Sequence, residues 1–153
     1  MRQCPFDGLC GDIGMPSKYR SFQQHKRFFS IVNAAFQNWP ESEDFQPDNP
    51  LHLRKWLTCK AGWRFTMSIE NPNFAERAAT VAIAVLHQRG EPAWIVEDRG
   101  RLHIISARSI AYSDMSHKKA CEYFGKAEGI VCDILKFENG DALLKAAENA
   151  RAA

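Results

Sequence analysis

Basic side chains interleaved with amides over residues 18–27 are the strongest chemical signal in this chain. Lys18, Arg20, Gln24, Lys26 and Arg27 crowd into ten positions, and groups of this kind donate hydrogen bonds to phosphate oxygens without reading bases. A second basic group, Arg54, Lys55, Lys60 and Arg64, follows with Trp63 inside it. Between positions 18 and 64 eight basic residues stand against four acidic ones, and all four acids fall in the stretch 41–48. The two groups therefore predict a shared cationic face able to contact several phosphates. An exposed ring such as Trp63 or Phe22 would stack an unpaired base, which makes a single strand the expected target. His25 falls on an apolar face, where packing or capping is its expected role rather than metal ligation.

Other chemistries are not signalled. There is no Gly-rich phosphate loop, no H-E-x-x-H and no G-x-S-x-G, the patterns that would mark nucleotide, zinc-protease or hydrolase chemistry. Glu91, Glu97 and Asp98 form a local carboxylate group, read as a turn former with solvated neighbours. No catalytic residue and no cofactor is expected. Five cysteines include no C-x-x-C pair, and Cys4 and Cys10 with His25 or Cys59 would make only a scattered ligand set. Reduced thiols without a metal are the expectation. A formal charge of +2 argues against both a histone-like binder and an acidic DNA mimic, so charge distribution matters more than its total. No apolar run approaches the roughly 18 residues of a membrane span, and the first residues lack the apolar core of a secretory signal. A cytosolic protein with no membrane segment is expected.

These residues need elements to hold them. A chain of 153 residues with 45% apolar and 25% charged positions fits a single domain that buries about two thirds of its unfolded surface. Residues 1–17, rich in glycine and proline, read as an irregular arm. Ser21 is placed to cap a helix that runs to about Trp39 and stops at Pro40. On it Phe28, Val32, Phe36 and Trp39 form the apolar stripe, Phe29, Ile31 and Ala35 its margins, and Lys26, Ser30, Asn33 and Gln37 the wet side. After a surface loop, Asn49 as cap and Pro50 in the first turn open a second helix that ends at Gly62. Leu53, Trp56, Leu57 and Ala61 make its core stripe, with His52, Lys55 and Cys59 opposite.

Residues 64–69 alternate as a strand. Residues 74–88 favour a helix through their alanines, although 80–85 are β-branched enough for a strand. Residues 93–96 and 102–106 flank a turn in which Gly100 suits a positive φ. Ser116 opens a long helix whose stripe, Ala120, Phe124, Ala127, Val131 and Ile134, calls for an apolar partner in the domain's own sheet or a second subunit. Asn139-Gly140-Asp141 then recaps a terminal helix over 141–153 that is expected to fray. The predicted class is α+β, with helices packed on a small antiparallel sheet that contains a hairpin near 93–107.

Arg20-Ser21-x-x-Gln24-His25-Lys26-Arg27 ahead of a bulky apolar helix, with Leu53-x-x-Trp56 on the next one, resembles the signature region of the phage NinB (Orf) recombination-mediator family and its uncharacterised phage relatives. Residues 102–110, followed by Met115 and a long helix, are similar to the later half of that group. The likeness leaves out residues 1–17, 64–90 and 137–153. It implies a non-enzymatic recombination accessory protein that binds single-stranded DNA. It further implies that the chain acts with the host single-strand-binding protein to help load a recombinase, as a homodimer enclosing a cleft. A different class stays open, a phage-encoded inhibitor whose basic helices occupy the place of guide RNA or target DNA in a host defence complex. Binding to single-stranded DNA alone separates the two.

Overall fold

The structure, a computed structural model, describes residues 17–70, 73–111 and 115–153, with side chains from residue 22 onward in the first of these segments. The expected N-terminal arm lies outside the described residues. Helix α1 spans Ser17–Gln37, so Ser21 sits inside it and is not its cap. The Ser17-Lys18-Tyr19-Arg20 run contains no breaker, and nothing obliges the helix to wait for a better cap. At the far end the chain leaves the helix through tightened turns, Asn38 N donating to Ala35 O at 3.1 Å and Trp39 N to Phe36 O at 3.4 Å.

Helix α2, Pro50–Lys60, starts as its sequence predicts. Asn49 Oδ1 accepts from His52 N at 2.9 Å, Pro50 occupies the first turn, and Gly62 follows at φ +92°. The loop before it is pinned: Trp39 Nε1 donates to Phe45 O at 2.8 Å, and the Phe45 ring stacks on Trp56 at 4.6 Å. One expectation fails here. Cys59, placed on the wet side, is 1% exposed, because α2 lies between α1 and the later helix on one flank and the sheet on the other. Both flanks of α2 are covered, and burial pushes the Cys59 thiol up to about 11.

Strand β1, Arg64–Ile69, is followed by helix α3, Ala75–Gln88, then β2, Ala93–Asp98, and β3, Arg101–Ala107. The ambiguous 74–88 stretch is thus helical. The sheet is antiparallel with order β1-β3-β2, Arg64 opposite Ala107 and Ala93 opposite Ser106. Its hairpin closes on two residues, Arg99 and Gly100 at φ +50° and +76°, the mirror-image turn whose twist matches the strands. Ile69, Ala93 and Ile104 meet Ala79, Ile83 and Leu86 of α3. Phe65 and Met67 share the Ile69 face of the strand, against Arg64, Thr66 and Ser68, but on this edge strand they stay 60% and 59% exposed.

Helix α4, His117–Leu135, is capped by Ser116 Oγ accepting from Lys119 N. Its stripe finds neither the sheet nor a second subunit as its main partner. Ala120, Phe124, Ala127 and Val131 are buried with Tyr123 among Phe28, Ile31, Val32, Leu53, Leu57 and Leu143, so α1, α2 and the terminal helix cover it. That helix, α5, spans Gly140–Ala152. It starts on the Asn139 cap, Ala142 N donating to Oδ1 at 2.9 Å, and fully buries Leu143. The molecule is one α+β unit with a helical core and a small sheet on its flank.

Candidate nucleic-acid interface

A cleft of about 690 Å³ opens between α1, α2 and the end of the sheet. Three cations reach it from two places in the fold, Arg54 and Lys55 from α2 and Arg108 from the residue after β3. Each is held differently. The Arg54 guanidinium lies over the Phe29 ring at 5.1 Å, and burial pulls its pKa below the ordinary value, although arginine stays charged. Lys55 Nζ donates to Gly90 O at 3.1 Å, which aims the ammonium while leaving further donors for a ligand. Arg108 is anchored by its backbone N donating to Trp63 O at 3.1 Å. Its guanidinium sits 4.5 Å from the Trp63 centroid and 5.1 Å from that of Phe65, attracted to both ring faces.

Phe29, Phe65 and His25 supply the apolar wall, and Glu91 is the one carboxylate of the lining among the described residues. His25 packs edge-on to Phe124 at 5.0 Å, and burial, with Arg54 nearby, lowers its pKa. Its ring therefore favours the neutral form and adds no cation at pH 7. The expected packing role is what the structure shows. Chemically the cleft offers donors for anionic oxygens beside exposed ring surface, which suits a phosphodiester carrying an unpaired base.

The predicted contact residues separate into groups. Arg54 and Lys55 line the cleft. Lys26 is exposed on α1 one turn before Phe29, whereas Lys18 and Arg20 have side chains outside the described residues. Lys60 is exposed with its ammonium over Trp56 at 5.3 Å, and Arg64 donates to Cys59 O at 3.3 Å. Two residues turn inward. Gln24 is 0% exposed and its Nε2 donates to Cys121 Sγ at 3.1 Å. Arg27 forms a forked pair with Glu128, NH1 to Oε2 at 2.7 Å and NH2 to Oε1 at 3.2 Å, and reaches Asp141 at 2.9 Å. The helix that presents Lys26 to water turns the next side chain onto α4 and α5, a consequence of the 100° step between neighbours.

Trp63 is also corrected as the exposed stacking ring. Its Nε1 donates to Ser109 O at 2.7 Å, its edge packs on the main core, and Arg108 and Lys119 lie over the ring at 4.5 and 5.4 Å. The flanking Lys60 and Arg64 turn elsewhere, to the Trp56 ring and Cys59 O, and it is Arg108 and Lys119 that settle over the Trp63 π-system. Phe65 and Arg108 are cleft residues that sequence reasoning missed; Arg108 stood one residue past a strand end, and Phe65 was only one alternating position of the strand over 64–69. No family model, curated protein or solved structure matches the chain.

These positions make Phe65→Ala and Trp63→Ala separable. Phe65→Ala should keep the wild-type melting temperature and lose about 1–3 kcal/mol of single-strand affinity, the worth of one stacked base. Trp63→Ala should melt well below wild type. Thermal melting with a binding titration on both variants checks this; the reverse assignment of effects would return the stacking role to Trp63.

Proposed function

We propose that this chain binds single-stranded DNA through the cleft, as a non-enzymatic accessory protein of phage recombination. The observation that supports it most is the convergence of Arg54, Lys55 and Arg108 beside Phe29 and the open Phe65 ring. Cations that reach phosphates position a strand, and a free ring face stacks only bases that are not already paired. The basic two-helix face is thereby narrowed to Lys26, Arg54 and Lys55, joined by Arg108 from the sheet. Help with recombinase loading, together with the host single-strand-binding protein, is the role the NinB resemblance adds to this reading.

Photo-crosslinking of a thymidine oligonucleotide bearing 4-thiothymidine, with peptide mapping, tests the placement. Crosslinks should fall on Phe65 and residues 106–111; crosslinks confined to α3 or α5 would contradict it. The resemblance also implies a homodimer. Helix α4 spends its stripe within the chain, so a second copy would meet other apolar surface, such as Val81 and Val85, 64% and 43% exposed on α3. Light scattering at micromolar concentration is expected to report twice the 17.4 kDa chain mass, and a particle of one chain mass would remove the dimer.

A further inference from the structure

Glu91 puts a carboxylate into a cleft whose other charged groups, among the described residues, are cations. Its backbone is held from several sides. Gly90 ends α3 at φ +70°, with Gly90 N donating to His87 O and Glu91 N to Leu86 O, both at 2.9 Å, the paired bonds that close a helix around a left-handed glycine. Lys55 Nζ donates from α2 to the Gly90 carbonyl at 3.1 Å, and Pro92 restricts the chain beyond. The carboxylate itself stays exposed and, among the described residues, takes part in no ion pair. Arg54, Lys55 and Arg108 share the cleft but are directed to the Phe29 ring, to Gly90 O and to the Trp63 and Phe65 rings.

An acid so placed does nothing for phosphate binding, since two negative charges repel. It suits a donor. Across the sheet Phe65, Ser106 and Ala93 stand abreast, so the outer two lie about 10 Å apart at about 4.8 Å per strand spacing, and Glu91 precedes Ala93 by two residues at the same end. We propose that Glu91 reads the base stacked on Phe65, accepting the N1–H and N2–H groups of an unpaired guanine. The proposal rests on the single-strand reading of the cleft and names its preferred base. A carboxylate offers two acceptor oxygens side by side, and guanine is the DNA base whose Watson–Crick edge carries two neighbouring N–H donors. Cytosine and adenine set one amine beside a ring-nitrogen acceptor, and thymine sets one N–H between two carbonyls, so each turns a lone pair toward a carboxylate oxygen. In a duplex the guanine edge is occupied by cytosine, so the same contact favours a base that is unpaired.

Anisotropy titrations of the wild type and Glu91→Gln should use a short thymidine oligonucleotide and the same strand with one central guanine or inosine. The guanine strand should bind the wild type about tenfold tighter than thymidine alone, within the range of one bidentate base contact. Inosine keeps N1–H but lacks the N2 amine and should lose most of that gain. Glu91→Gln should bind the guanine and thymidine strands alike, because an amide presents one acceptor and one donor to two donors. Circular dichroism checks that this exposed substitution leaves the fold intact, and should it not, the wild-type comparison of guanine with inosine still decides. Equal wild-type affinity for the guanine and thymidine strands, or a guanine preference that survives Glu91→Gln, would overturn the base contact and leave single-strand binding standing. Failure of every strand to bind would overturn the single-strand reading and the base contact with it.

Discussion

Glu128→Ala is expected to cost about 3–5 kcal/mol, the usual effect of removing one partner of a buried ion pair. For a chain of this length that lowers Tm by roughly 6–20 °C. Glu128 is buried and carries three bonds at once, two from Arg27 and one from Gly140 N at 2.8 Å. It therefore ties α1, α4 and the start of α5 together. Truncation leaves a guanidinium that is only 16% exposed with the solvent-facing Asp141 as its remaining carboxylate, and takes the acceptor from a buried N–H. Asp141, the other carboxylate on Arg27, is 81% exposed, so Asp141→Ala should cost no more than about 1 kcal/mol. Thermal melting of the two variants checks the contrast. Equal melting of Glu128→Ala and wild type would show that the pair contributes nothing to stability.

The Arg54→Gln/Arg108→Gln double variant carries the largest expected effect on binding. Each lost charge-assisted hydrogen bond is worth about 1.5–3 kcal/mol, so single-strand affinity should fall by about a hundredfold or more. The slope of log affinity against log salt should shrink by roughly 1.4, at about 0.7 per phosphate contact. Arg108 is exposed and Arg54 only half-buried over Phe29, and glutamine keeps much of each side chain. Circular dichroism should report a folded protein. A folded double variant with wild-type affinity and slope would remove the cleft from the binding surface.

How much of this was legible beforehand depended on whether a signal was local. The Asn49 cap, the Gly62 stop, the positive φ at Gly100 and the start of a long helix at Ser116 are each written within a few residues, and each was read in place. Helical periodicity also placed Phe28, Leu53 and Phe124 in the core. Periodicity gives a face but not what lies opposite it. Arg27 reads as a surface cation until Glu128, 101 residues away, is brought beside it. Trp63 reads as exposed among charges until Arg108 and Ser109 close over it. Phe65 shows the same limit in a strand, since alternation marks an apolar face whether or not a helix covers it. The cleft joins residues from positions 25 to 111, and no spacing rule connects those.

The measurement that bears most directly on the central claim is a fluorescence-anisotropy titration of the wild-type protein with a labelled thymidine oligonucleotide and the matching duplex, at several salt concentrations. Saturable binding to the single strand, weaker binding to the duplex and a log–log salt slope of at least about −2, for three phosphate contacts at about 0.7 each, is the predicted result. No binding to the single strand at low salt would contradict the account and leave occlusion of a host defence complex as the reading to pursue.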